Sequence, residues 1–206
     1  MPAIMEESML EWTLNDHHQA PILCSPGRED LLLSGFMLTE GHVSHEQDII
    51  SILPGPVWQV STRVCPDDPA SLRPLENECT FSLDSCLEQY QAFLAFGKTA
   101  GQHCMMLTDG MQKAVGRDIS RHNALDRAVG AALRSGMLLS ASLLLSSGRI
   151  TLTLLEKAAR AGIPVLITGK QIGSLSIARA RELNIALVQA GTHPSVLGCT
   201  ARIEEG

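Results

Sequence analysis

Aromatic side chains make up only 3% of the 206 residues, with a single tyrosine. A chain this poor in rings has few platforms for stacking bases, which argues against single-stranded nucleic-acid binding. Basic charge is scarce as well: 16 Lys and Arg are set against 22 Asp and Glu, for a net charge of −6. That balance lacks the basic footprint of a protein that holds nucleic acid through its phosphates. No apolar run approaches the roughly 18 residues of a membrane span; the nearest, MLLSASLLLSS, is short and rich in Ser. The first residues, MPAIMEESML, have no basic segment leading into an apolar one, so no signal peptide is expected. Six cysteines without an export signal read as free thiols in a reducing compartment, and the expected location is the cytoplasm. Two cysteines in C-x-x-C spacing occur nowhere, and no repeat or low-complexity tract is present.

Hydrophobic residues amount to 45%, enough for a sizeable core built from Leu, Ile, Val, Ala and Met. The first part reads as a small α+β unit. MLEWTL and QAPILC are expected to be strands joined at Asn15-Asp16, and DLLLSGFMLTEG a helix closed by Gly41. DIISILPGPVWQVSTRV adds two strands broken by Pro54-Gly55-Pro56. Residues 65 to 80, with three prolines and no apolar period, form a loop and the expected boundary between a domain at 1–80 and one at 81–206. Beyond it lie a helix (SLDSCLEQYQAFLAFG), a hairpin turning at Asp109-Gly110, and then alternating helices and short apolar strands. This alternation predicts an α/β domain whose sheet carries helices on its faces.

GRDISRHNALDRAVGAAL, residues 116 to 133, carries the densest chemistry. Leu125, Ala128, Val129, Ala132 and Leu133 form an apolar stripe, while His122 and Asp126 lie four apart on another face, where the carboxylate could orient the imidazole. Arg117 and Arg121 are expected in the loop before this helix, with Gly116 available for a tight turn. A helix start offers unpaired N–H groups and the positive end of its dipole, so two added guanidiniums suit a phosphate or pyrophosphate. The other reading is an Arg–Asp network that ties the loop to its own domain. SSGRIT, from Ser146 to Thr151, is a second strand-to-helix turn of the same character, able to present Ser147, Gly148 and Arg149 to an anion. His42 with His45, and His17-His18, sit in polar turns and read as solvated surface, so no metal site is expected.

Several segments together resemble the FdhD/NarQ family of formate dehydrogenase accessory sulfurtransferases. GRDISRHNALDRAVG is similar to its E-D-V-G-R-H-N-A-x-D-K-x-x-G signature. LLLSGFMLTEGHV, FGKTAGQHC and SSGRITLTLLEKAARAGIPVL resemble further family segments, in the family's order. The resemblance implies a cytidine-deaminase-like mixed sheet with helices on both faces, a small N-terminal α+β domain and a homodimer. It also implies a molybdenum or tungsten pterin guanine dinucleotide as bound cargo, for which a GDP-like nucleotide can stand in. The pocket would be lined by Arg117, Asp118, Arg121, His122, Asn123, Asp126, Ser147, Gly148 and Arg149, with His103 matching the histidine of the family's T-G-G-x-H.

Deaminase chemistry is excluded, because His122-Asn123-Ala124 lacks the glutamate of H-x-E and Ser147-Gly148-Arg149 lacks the cysteines of P-C-x-x-C. The family's sulfur route runs from a cysteine desulfurase through a C-x-x-C loop to the cofactor of formate dehydrogenase. Here the corresponding loop, RVCPDDPASLRPLENEC, holds only Cys65 and Cys79, which are the candidate sulfur carriers. Cys86 and Cys104 read as packing. Two functions therefore stay open: sulfuration and delivery of the cofactor, or a non-catalytic pterin- or guanine-nucleotide-binding module. Ala100 and Ser120 stand where the family has glycines, and neither Cys65 nor Cys79 has a basic neighbour in sequence to stabilise a thiolate.

Overall fold

The computed structural model describes residues 5–63, 72–76, 79–96 and 101–204. The expected strand MLEWTL is divided into β1 (Ser8–Leu10) and β2 (Trp12–Leu14); QAPILC is strand only at β4 (Ile22–Cys24), and β3 (His17–His18) forms where a turn was expected. β1 pairs antiparallel with β4, while β2 turns into β3 through Asn15 (φ 47°) and Asp16 (φ 66°). Two successive left-handed residues suit a tight hairpin turn, and Asn and Asp tolerate them better than most. The helix α1 (Glu29–Thr39) ends at Gly41, whose φ of 78° takes the chain out of the helix. β5 (Ile49–Leu53) and β6 (Trp58–Thr62) follow as an antiparallel pair, completing a four-stranded sheet in the order β3-β2-β6-β5. Of the expected boundary loop, 72–76 and 79–80 are irregular, whereas Cys65 lies outside the described residues.

After β7 (Phe81–Ser82) comes α2 (Leu83–Phe96), with Ser82 Oγ accepting the Ser85 N–H at 3.2 Å. β8 (His103–Thr108) and β9 (Lys113–Asp118) form the expected hairpin. Its turn is held by Asp109 Oδ1, which accepts the N–H groups of Met111 (2.8 Å) and Gln112 (2.7 Å). Then follow α3 (Arg121–Arg134), β10 (Leu143–Ser146), α4 (Leu152–Arg160), β11 (Val165–Thr168), α5 (Ser174–Glu182), β12 (Ala186–Gln189), β13 (Ser195–Gly198) and β14 (Ile203–Glu204). The main sheet is six-stranded and mixed, in the order β13-β12-β11-β10-β8-β9. Its centre, β10 to β12, is parallel; β8, β9 and β13 run antiparallel to their neighbours.

The pleat sends alternate side chains to opposite layers. Leu144, Leu166 and Leu187 join residues of α1, α3, α4 and the N-terminal sheet in one core, while Leu143, Leu145, Val165 and Ile167 pack with Cys86, Tyr90 and Phe93 of α2. Full burial of each Leu is worth about 1.5–3 kcal/mol, so the short strands are held by both layers at once. α1 crosses α3 closely because Gly35 and Gly130 sit at the contact, where a Cβ on either would run into the backbone of the other helix. Among the described residues no helix is long and apolar enough to cross a membrane.

Candidate functional site

β9 runs further than expected. Gly116 and Arg117 belong to the strand, not to a loop, and Arg121 is the first residue of α3. Gly116 makes no turn; its missing Cβ lets β9 lie against the backbone of α3 at Ala124 and Ala128. The pleat also separates the two expected guanidiniums. Arg117 shares a face with Val115, toward α2, where it stacks over Phe96 (4.8 Å) and donates from Nη2 to Phe96 O at 3.2 Å. Arg121 lies on the α3 and α4 side, beside Gly148 and His103.

Asp118 is fully buried and forms a structural hub. Its Oδ1 accepts from Ser120 N (3.0 Å) and Asn123 Nδ2 (3.2 Å), and its Oδ2 from Ser25 N (3.1 Å) and Arg127 Nε (2.9 Å). Arg127 also donates to Ser25 O (2.5 Å) and Gly27 O, while Asn123 Nδ2 reaches Leu23 O at 2.8 Å. The Arg–Asp network thus exists, but through Arg127, and it ties the β9–α3 junction to the segment after β4.

Asp126 does not orient His122. It accepts from Lys157 Nζ at 3.0 Å and from Thr39 Oγ1 at 2.6 Å, and Lys157 also pairs with Glu40 at 2.6 Å. Burial pushes the Asp126 carboxyl up from the usual range, with Lys157 pulling the other way. For Glu40 burial also pushes upward, but Lys157, joined by Arg160 and His42, brings the net direction down. The imidazole of His122 meets Thr153 Oγ1 at 3.0 Å instead. Two rungs therefore join α3 to α4, His122–Thr153 and Asp126–Lys157, each pair of residues four apart on its helix. That matched spacing in RHNALD and LTLLEK was the signal available for Thr153 and Lys157. Arg127 carried a weaker one, a charge within an apolar stripe.

What remains is the place where the starts of α3 and α4 meet the C-terminal end of β10, the candidate binding cleft. Arg121 Nε is buried with no hydrogen-bond partner among the described residues. A Cβ at Gly148 would lie 3.3 Å from His103 Nδ1 and 3.8 Å from Arg121 Cδ, so the glycine lets the turn after β10 pass close to both side chains. Arg149 is exposed and pairs with no group among the described residues. Neither helix has its N-cap side chain, Ser120 or Thr151, bonded back onto it. Burial lowers the pKa of both His103 and His122, with Arg121 adding to the shift in each. Both imidazoles are therefore neutral near pH 7, each able to donate and accept. Ser147 is turned inward, exchanging bonds with Cys104: its Oγ accepts Cys104 N–H at 2.9 Å and its N–H donates to Cys104 O at 3.0 Å. Of the expected set, the fold brings Arg121, His122, His103, Gly148 and Arg149 together at the cleft. Asp118, Asn123 and Asp126 are engaged beneath it, and Arg117 faces the other layer.

Five thiols are among the described residues. Cys24, Cys86 and Cys104 are wholly buried, and burial pushes all three upward, Cys86 to about 11. Cys79 lies by Asn184 and Arg202, at the end of the sheet where β12 begins and opposite the cleft.

A mixed sheet with a parallel centre, packed against helices, defines an α/β protein. Comparison with known proteins gives the particular kind. The sequence model of the FdhD/NarQ family matches residues 57–196. The sulfur carrier protein FdhD of Mycobacterium tuberculosis is 30% identical, over 88% of this chain and 84% of that one. That of Streptomyces avermitilis is 41% identical over 59% of this chain and 43% of its own. The crystal structure of a putative formate dehydrogenase accessory protein from Desulfotalea psychrophila superimposes with a TM-score of 0.79 at 23% identity, covering 97% of this chain and 90% of that one. The chain belongs to the FdhD/NarQ family.

Proposed function

We propose that this protein is a formate dehydrogenase accessory protein whose cleft holds the guanine dinucleotide form of the molybdenum or tungsten pterin cofactor for sulfuration or delivery. The observation that carries this reading is Arg121, whose buried Nε has no partner among the described residues and whose side chain lies beside Gly148. A buried guanidinium nitrogen left without an acceptor is costly, and a phosphate oxygen is the acceptor that suits it. The free starts of α3 and α4 add N–H donors and favourable dipoles. His103 and His122 would direct the nucleotide by hydrogen bonds, and exposed Arg149 would meet a second phosphate. The names of the relatives support the accessory and sulfur-carrier role, and the sheet suits a deaminase-like ancestry without its zinc chemistry. A homodimer and a cytoplasmic location belong to the same reading, with a cysteine desulfurase and formate dehydrogenase as partners.

A second reading, cofactor binding without sulfur transfer, is favoured by the burial of Cys24, Cys86 and Cys104 and by the distance of Cys79 from the cleft. Titration calorimetry with guanosine diphosphate tests what both readings share. Arg121→Ala is expected to weaken binding by about 1.5–3 kcal/mol, the scale of a charge-assisted hydrogen bond, and to leave thermal stability nearly unchanged. Equal affinity in the variant and the unsubstituted protein would remove the cleft as the nucleotide site.

A further inference from the structure

The end of the sheet opposite the cleft carries a feature that the sequence does not announce. A pocket of about 340 Å³ is lined by Glu76, Cys79, Thr80, Asn184, Cys199, Ala201 and Arg202. Cys79 and Cys199 lie 120 positions apart in the chain, yet both border this one space and neither is buried. Arg202 forms its wall and is only 3% exposed. Its guanidinium is locked by Asn184 O (2.5 Å), Leu75 O (3.3 Å) and Cys79 O (3.3 Å). No carboxylate pairs with it among the described residues. Burial drives the guanidinium's pKa downward, and Cys199 and then Cys79 act in the opposite direction, which places both sulfurs within electrostatic reach of the cation. The Cys199 thiol donates to Asn184 Oδ1 at 2.8 Å, so its proton has a defined acceptor.

We propose that Cys199, with Cys79 beside it and Arg202 as the fixed cation, is an acceptor site for sulfane sulfur from a persulfide. The Cys199 sulfur attacks the outer sulfur of the donor persulfide, and a new S–S bond forms as the donor's S–S bond breaks. The donor sulfur leaves as a thiolate and takes up the proton that Cys199 gives up, so a thiol and a persulfide become a persulfide and a thiol with no net oxidation. Negative charge passes between sulfurs throughout, and a buried, immobile guanidinium without a carboxylate partner is placed to stabilise it. Cys24, Cys86 and Cys104 are sealed from any donor. The site supplies what an absent C-x-x-C otherwise would, two thiols in one pocket, through tertiary contact and not through spacing. It stands independently of the nucleotide cleft, on the other side of the sheet.

The test uses the full chain, reduced and then exposed to glutathione persulfide, with alkylation and peptide mass spectrometry to locate one added sulfur atom. The added sulfur is expected on the Cys199 and Cys79 peptides, and the double substitution Cys199→Ser and Cys79→Ser is expected to remove more than half of it. Arg202→Gln should slow loading by about tenfold, the scale of one lost charge-assisted interaction, and Arg202→Lys should recover part of the rate. Because Arg202 also holds three carbonyls, the double cysteine variant, which retains it, decides the matter if Arg202→Gln does not fold. Sulfur found only on Cys65, or loading reduced by less than half in the double variant, overturns the proposal. Guanosine diphosphate affinity, measured on the same variants, should stay unchanged, so failure here is distinguishable from failure of the cleft.

Discussion

The first two turns of α3 and the residues just before it hold two sets of polar groups that look alike in sequence and behave oppositely in the fold. Asp118, Asn123, Asp126 and Arg127 are all buried and bonded to other parts of the chain. Arg121 and His122, one turn away, are only part-buried; among the described residues Arg121 Nε has no partner and His122 meets only the exposed Thr153. A charged cluster at a helix start is thus evidence of neither scaffold nor site until its hydrogen bonds are traced. Buried charges that are fully paired hold the molecule together.

The largest expected effect falls on the paired set. Asp118→Ala leaves Arg127 buried without its carboxylate and should cost about 3–5 kcal/mol of stability, measured by urea unfolding. A loss under about 1 kcal/mol would show that the hub is not structural and blur the contrast.

Next comes Lys157→Met, expected to cost about 3 kcal/mol because Asp126 and Glu40 lose their shared cation. Adding Asp126→Leu should recover much of that loss, since apolar replacement of a whole buried pair is often neutral. If the double variant is no better than the single one, the interaction between α3 and α4 does more than neutralise charge.

The smallest effect concerns pH. Burial lowers the pKa of His42, His103 and His122 in the fold, so below about pH 6.5 the unfolded chain takes up protons that the folded one resists. Stability should therefore fall as pH drops from about 6.5 to 5.5. Guanosine diphosphate at the cleft should favour protonated His103 and His122, so its affinity should rise over the same interval, with proton uptake seen by calorimetry in buffers of different ionisation enthalpy. Affinity that falls on acidification would separate the histidines from the ligand.

Much of the fold was legible because local rules act over a few residues. The Asn15-Asp16 and Asp109-Gly110 turns, the Gly41 helix stop and the apolar runs of β10, β11 and β12 lie where turn chemistry and periodicity put them. The break between β1 and β2 was not legible, since nothing in MLEWTL states that its two halves pair in different sheets. For the site, Arg121, His122 and Gly148 could be read from a loaded helix start and a strand–helix turn. The division of Arg117 from Arg121 could not, because it depends on β9 continuing two residues longer and on the pleat that continuation imposes.

The order of elements, their type and the presence of anion-seeking residues at two helix starts were determined by the sequence itself, through dihedral preference, capping and hydrophobic period. Which charges are spent on one another was decided only in three dimensions. Asp118 finds Arg127 and Ser25, Asp126 finds Lys157 and Thr39, and Cys79 finds Arg202 and Cys199, across separations of up to 123 positions. Such pairings carry no local signature: they form because packing the helices on the sheet removes water from polar groups, and each must then find whatever partner the fold has brought within reach.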